Sequence, residues 1–352
     1  MIYNNFLIFI ALAKVCTGTL LPRSESRYVF KPETQTSFQN SHIPELFNFA
    51  NSQYDIETGS SYWLSSYITG TNGKQYLAIS HVLTQQDQDT RCRSSILDLK
   101  TLDYWVELTY CTPQAKAATA LEKASPLNLD YGTYGYKATS DDGISKMAAF
   151  AKTSNYSIDI SWEATSKVML NGGGGIIGFG TANATEWGIP SSKTEGSLTI
   201  EDEVVKVDPK NSFTWYDRQL SYGVPKNWTW FQVNFPGTAI KASIWAFDTD
   251  TTSKQFATVR VDESIHVLAF TLTPDMTNTW TSPNTNLVYP LAWRLDFDNG
   301  DFLKIKSVRA DQEMYGSRKI DDSAYEGFVT VSGRFMGQKK GFGVVELVTV
   351  YQ

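Results

Sequence analysis

The sequence predicts an all-β protein in which two related antiparallel β-domains follow one another. Three observations carry this reading. Nearly everything after Ser60 falls into short runs rich in β-branched and aromatic residues, broken at close intervals by Gly, Asn, Asp and Pro clusters, which is the pattern of an antiparallel barrel or sandwich. Helical periodicity is weak, with Ala115 to Lys123 and Ile43 to Ala50 the best stretches. A faint internal repeat relates Thr194-Glu195-Gly196-Ser197-Leu198-Thr199-Ile200 to Tyr325-Glu326-Gly327-Phe328-Val329-Thr330-Val331. A turn and a closing strand follow each copy, carrying Trp215-Tyr216-Asp217 in the first and Val345-Glu346-Leu347 in the second. The copies also open alike, with Tyr62-Trp63-Leu64 and Trp228-Thr229-Trp230-Phe231.

Along the chain, the apolar run Phe6 to Ala13 is too short to anchor in a bilayer and fits the core of an export signal spanning residues 1–18, cleaved near Gly18/Thr19. An extension, 19–59, precedes the first β-domain, 60–222, and a join near Ser221 to Lys226 leads to the second, 223–352. The strands expected are Tyr62 to Ile68, Gln75 to Leu83, Tyr104 to Tyr110, Tyr156 to Glu163, Ser197 to Val207, Trp228 to Phe235 and Ala239 to Phe247. Gln255 to Val261, Ser264 to Thr273, Leu287 to Phe297, Phe302 to Val308, Gly327 to Phe335 and Gly341 to Tyr351 follow. No later segment reaches the roughly 18 apolar residues of a transmembrane helix.

With Cys16 lost in the signal, Cys92 and Cys111 remain as a pair on two strands flanking Lys100 to Asp103. A hairpin centred near Thr101/Leu102 places them directly opposite, close enough for a disulfide in an oxidising compartment. Three sequons, at Asn155, Asn183 and Asn227, add to the expectation of a secreted glycoprotein.

The 352 residues carry 31 Lys+Arg against 37 Asp+Glu, a formal charge of -6, which argues against a nucleic-acid groove. Only three His are present, so His-ligated metal sites are disfavoured and no cofactor is expected. Aromatic residues make up 13%, which suits an aromatic-lined cavity for a hydrophobic small molecule. There is no nucleophile elbow, no His-Glu-x-x-His and no Cys-x-x-Cys. Asn171-Gly172-Gly173-Gly174-Gly175 lacks the Lys-Ser/Thr of a phosphate loop and reads as a turn before a strand. His81 and His266 fall inside strand patterns and read as satisfied core residues.

The segment Ser212 to Gln219 carries the most chemistry. Alternation puts Trp215 and Asp217 on one face and Tyr216 and Arg218 on the other. A carboxyl beside an indole in a barrel interior is desolvated. Its pKa rises, so it can act as an acid near neutral pH, and aromatic faces stabilise a carbocation. A plain Asp217–Arg218 surface pair is the structural alternative.

Three stretches resemble a known family: Gly172 through Glu186-Trp187-Gly188-Ile189-Pro190, Glu195-Gly196 through Trp215-Tyr216-Asp217-Arg218-Gln219, and Tyr325-Glu326-Gly327 through Gly341-x-Gly343-x-x-Glu346-Leu347. Together they are similar to the lipocalin-like family that holds carotenoid 1,2-hydratases, kievitone hydratase and fungal Diels–Alderases. The resemblance runs from about Ser60 to the C-terminus and implies two lipocalin-like β-barrels with a ligand cleft in or between them. It gives Asp217 the role of proton donor, with Trp215 its catalytic partner and Trp187 lining the site; Trp63 and Trp230, which open the two copies, are further substrate-binding candidates. Leu220-Ser221 stands where relatives place Trp-Gly, and no His precedes the motif between His81 and His266. The implied activity is hydration of an alkene in a prenylated isoflavonoid such as kievitone. A Diels–Alderase of fungal polyketide biosynthesis, which needs shape more than an acid, and a non-catalytic binder are the alternatives.

Overall fold

The computed structural model describes residues 28–40, 42–53, 59–85, 89–112, 127–249, 251–316 and 320–349. The export segment and the helix expected over Ala115 to Lys123 lie outside these residues. The chain forms two antiparallel sheets that meet at neighbouring strands, with Phe213–Ser221 the last strand of one and Asn227–Asn234 the first of the other. In the second domain eight strands close on themselves. Phe302–Ser307 pairs with Ala324–Phe335, and Gln338–Thr349 pairs back to Asn227–Asn234. The first domain has the same all-β character but stays open, curling from Tyr104–Cys111 at one edge through Gly59–Thr69, Phe213–Ser221 and Ala182–Ile200 to Asn128–Asp130 at the other. Of the two barrels expected, one is closed and one is a curled half-barrel.

Apolar side chains gather in three clusters. One fills the half-barrel, with Tyr62, Leu64, Trp162, Trp187 and Tyr216. Another fills the closed barrel, with Phe231, Ile244, Leu303, Tyr325 and Val345. The third lies between the domains and takes the opposite faces of the same strands: Trp63, Tyr67, Phe213, Trp215, Trp230, Phe328 and Phe342. This is why Gly59–Thr69 is buried at nearly every position instead of alternating in and out, as expected for a strand covered on both faces.

The internal repeat is expressed at this interface. Trp63 lies opposite Asp217 in its sheet, and Trp230 lies opposite Glu346 in the other. The two indoles meet edge to face with centroids 5.1 Å apart. Two residues further along each strand, Ser65 donates to the Gln232 amide oxygen at 2.7 Å. Matching positions of the two copies therefore face each other, in the manner of a two-fold dimer interface.

Several elements differ from expectation. Ser197 to Val207 is a hairpin, because Glu201 and Asp202 both take positive φ (49° and 71°) and turn Ala182–Ile200 back into Glu203–Lys206. The strand expected over Leu287 to Phe297 is interrupted after Pro290, which lacks the N–H needed to continue a ladder. Ile43 to Ala50 is not helical throughout. A single turn, Phe49–Ser52, starts where the Asn48 side chain accepts from the Asn51 amide.

The Lys100 turn is built by Asp98, whose carboxyl accepts from the amides of Lys100 and Thr101. That moves the hairpin register, so Cys92 lies opposite Thr109 and Cys111 opposite Thr90. The cysteines are thus not directly opposed. They are joined diagonally, with Cα atoms 6.0 Å apart.

Because the middle cluster belongs to both domains, they are expected to unfold together. Phe328→Ala empties a fully buried position there, beside Tyr28, Tyr67 and Phe342. It should cost about 3–5 kcal/mol. Denaturant unfolding followed by tryptophan fluorescence checks this, and a loss below 1 kcal/mol would contradict the role given to the interface.

Candidate active site

Phe213–Ser221 is sandwiched between Gly59–Thr69 and Ala182–Ile200. Its alternation sends Tyr216 and Arg218 into the half-barrel. There Tyr216 donates to the Gln53 side chain at 2.8 Å, and the Arg218 guanidinium lies 3.9 Å from the centre of the Tyr62 ring. Those side chains occupy the interior face, so Trp215 and Asp217 point the other way, into the seam between the domains. The expectation that Asp217 faces a barrel interior is corrected on this point, and the Asp217–Arg218 surface pair is absent because both are buried on opposite faces.

Asp217 opens into a cleft of about 520 Å³ walled by Trp63, Trp228, Trp230, Trp245 and Phe179, with Glu186 and Glu346 also on its surface. Its carboxyl stands against Gly188, its cross-strand neighbour. A Cβ added there would come within 2.4 Å of Asp217 Oδ1 and 3.1 Å of Trp215 Nε1. Desolvation pushes Asp217 up to about 8, opposed in part by the nearby Trp215 N–H, which misses hydrogen-bond geometry and leaves Oδ1 without a protein partner. Burial likewise raises Glu186 well above the usual carboxyl range, with the Asp217 charge adding to the effect. One Glu186 oxygen accepts from Asn171 at 2.9 Å and from Trp245 at 3.1 Å. Glu346 is raised to about 8, first by desolvation and then by the negative charge of Glu326. Asp217 and Glu346, both raised to about 8, keep their protons at neutral pH.

Glu326 is the exception. Desolvation pushes it up, but Arg93, with Nε 3.4 Å away, together with His81 and the Trp63 N–H at 2.9 Å, outweighs burial and holds it below the usual range. Burial, and then the Arg93 charge, lowers His81 to about 4, so the imidazole is neutral. Arg93 Nε donates to His81 Nδ1 at 2.9 Å, which places the His81 proton on Nε2, facing Ser61 Oγ at 2.8 Å. Ser61 lines the cleft and keeps its own proton for a group there.

The pocket thus presents protonated acids against aromatic walls. Among the described residues no cluster of three metal-ligating side chains exists, and no helix is long and apolar enough to cross a membrane.

Residues 84–351 match the AttH-like family model. The chain belongs to the AttH-like family. It is 38% identical over 348 residues to kievitone hydratase of Fusarium solani subsp. phaseoli, covering 97% of each chain. It is 34% identical over 343 residues to dehydratase asqC of Emericella nidulans, covering 94% of this chain and 97% of the relative. The crystal structure of kievitone hydratase from Nectria haematococca superposes with a TM-score of 0.83 at 36% identity, covering 92% of this chain and 98% of that one. Relatives that add or remove water place this AttH-like chain among the hydro-lyases acting on carbon–carbon double bonds.

Of the residues singled out in the sequence, Asp217, Trp63 and Trp230 come together in the cleft. Trp187 does not line it. Its ring packs inside the half-barrel against Phe49 and Tyr216, with its N–H on Ser52 Oγ at 2.8 Å, because it sits one residue out of phase with Glu186. Trp215 backs Asp217 from outside the cleft surface. Asn155 and Asn183 are exposed and Asn227 is half-buried. Glu186, Glu346, Glu326 and Ser61 had no assigned role, and His81, read as core, belongs to the site. The repeat held the signal for Glu346, since it occupies the copy of Asp217's strand.

Gly188→Ala should displace the Asp217 carboxyl while leaving the sheet paired. An ångström of misplacement costs up to about 100-fold, so kcat should fall on that scale with an unchanged circular dichroism spectrum. Wild-type turnover would show that the close approach is irrelevant to chemistry.

Proposed function

We propose that this hydro-lyase adds water across the prenyl alkene of a hydrophobic natural product, a prenylated isoflavonoid of the kievitone type, with Asp217 as the acid. The observation that carries the reading is a protonated carboxyl with one unpartnered oxygen, buried against indoles in a cleft of drug-like size. The proton of Asp217 goes to the less substituted alkene carbon, and the π electrons form the new C–H bond. Positive charge at the more substituted carbon faces Trp63 and Trp230, whose ring faces stabilise it. Trp63 is the richer ring, since its N–H is bound to the ionised Glu326. Water held by Ser61 attacks the cation, and its proton returns to the Asp217 carboxylate, so atoms and charge balance without a second base. Elimination of water, as the name of the Emericella relative implies for that protein, is the same path reversed.

Asp217→Asn keeps shape and much hydrogen bonding but cannot deliver the proton, so kcat should drop about 10²–10⁴-fold in a folded protein. Trp63→Leu should cost about tenfold if the ring only stabilises the cation. For a pericyclase the order reverses, because shape dominates. Incorporation of ¹⁸O from labelled water into the product tests hydration directly.

Turnover should also fall as pH rises through about 8, where Asp217 loses its proton. Stability moves with it. Asp217 and Glu346 are pushed from 3.8 and 4.5 up to about 8, so the folded state binds more protons than the unfolded chain between about 4 and 8. Stability is therefore full below that window and declines as pH rises through it. Asp217→Asn should unfold at a higher temperature than wild type at pH 9 and show no such gain at pH 4. An equal effect at both would refute the buried protonated acid.

We further infer that the protein is exported and glycosylated. The apolar leader, the joined Cys92 and Cys111, and the accessible Asn155 and Asn183 support this. Mass spectrometry of the native protein should give an N-terminus near Thr19 and glycan on at least one sequon.

A further inference from the structure

A second cavity, of about 290 Å³, lies at the other end of the strands that form the cleft and shares no lining residue with it. Phe213 opens the strand that later carries Asp217, and Asn234 closes the strand that begins beside Trp228. Between them Lys241 reaches into the cavity, although only 4% of the residue is exposed. Its one contact of note is the Phe213 ring, 5.1 Å from Nζ. The nearby acid, Glu33, is already bound to the buried Arg260 at 2.5 Å. Asn234 is also buried, at 1% exposure, and its amide, beside the Tyr67 hydroxyl, makes no hydrogen bond of good geometry. Burial, followed by the Arg260 charge, lowers Lys241 to about 8 against the pull of Glu33, which leaves it a cation at neutral pH.

A buried cation whose nearby acid is already bound to Arg260 and a buried amide without a well-formed hydrogen bond both oppose folding by the desolvation they suffer. Their coincidence on one cavity points to a ligand that supplies what is missing. The charge sets its class. Lys241, Lys31 and the Arg260 bound to Glu33 stand against the carboxylates of Glu33 and Asp262, a net charge of one positive, which suits a monoanion and disfavours a dianion such as phosphate. Phe213, Phe235, Phe342 and Val29 line the remainder and suit an apolar body.

We propose that this cavity binds a small monocarboxylate with an aromatic or apolar body, with Lys241 and the Asn234 amide nitrogen holding the carboxylate and the phenylalanines covering the body. The site is separate from the acid-lined cleft and independent of its chemistry. Its volume, at the low end for ligand pockets, admits one ring and excludes a molecule of isoflavonoid size.

Isothermal titration of the full-length protein with sodium benzoate, neutral benzamide and inorganic phosphate tests this. Benzoate should bind at one site, with benzamide and phosphate weaker by about tenfold or more. Lys241→Met should lower benzoate affinity by at least about tenfold while leaving alkene hydration intact, because Lys241 is remote from the cleft. Removing an unpaired buried charge favours folding, so the variant should be stable, and Lys241→Gln replaces it if it is not. Absence of benzoate binding, equal binding of benzamide, preference for phosphate, or benzoate binding that survives both Lys241 variants would each overturn the proposal.

Discussion

Closing two β-domains against each other leaves water little access to Asp217, Glu186 and Glu346, and the loss of water pushes the pKa of each one up. The rest of the structure follows from that constraint. Three carboxyls in such a place could not all ionise, because each would lack solvation and would repel the others. Aromatic packing between the domains offsets the cost of holding them there, and the same indoles that seal the seam form the cleft wall. Stability and chemistry therefore draw on one arrangement: tight closure weakens Asp217 as an acid until it still holds its proton at neutral pH.

The internal repeat makes the cleft possible and then departs from symmetry. Trp63 and Trp230 occupy matching positions and touch, and their cross-strand neighbours Asp217 and Glu346 both line the cleft. Symmetry ends at the second strand, where His81 stands opposite Trp63 and Trp245 stands opposite Trp230. Arg93 comes from the first domain, yet it holds the ionised Glu326 of the second. One copy thus contributes the cation and the other the anion. This pins the domains in register and leaves a single negative charge behind Trp63. Asp217, with only an indole N–H to favour its charge, is pushed up to about 8.

Much of this was legible in the sequence. Turn clusters and β-rich runs specified an all-β chain, the repeat specified two copies, and the Trp215-Tyr216-Asp217 alternation specified that the indole and the acid share a face. These are local properties with a period of two, and they survive any packing. Direction was not legible. Alternation says which residues share a face and is silent on which face meets the domain's own interior. Both faces of Phe213–Ser221 are buried, so hydrophobicity could not break the tie. Trp187 was misplaced for that reason, and His81 was read as core for the same one.

What the sequence determined by itself is the fold class, the copy number and the shared face of Trp215 and Asp217. Only the tertiary structure decided that Asp217 opens into the seam, that Glu346 lines the same cleft, and that Arg93 holds Glu326 below the usual carboxyl range. The physical reason is that a carboxyl's protonation depends on water and on charges from residues far away in sequence. Arg93 and Glu326 are 233 positions apart in numbering and 3.4 Å apart in space.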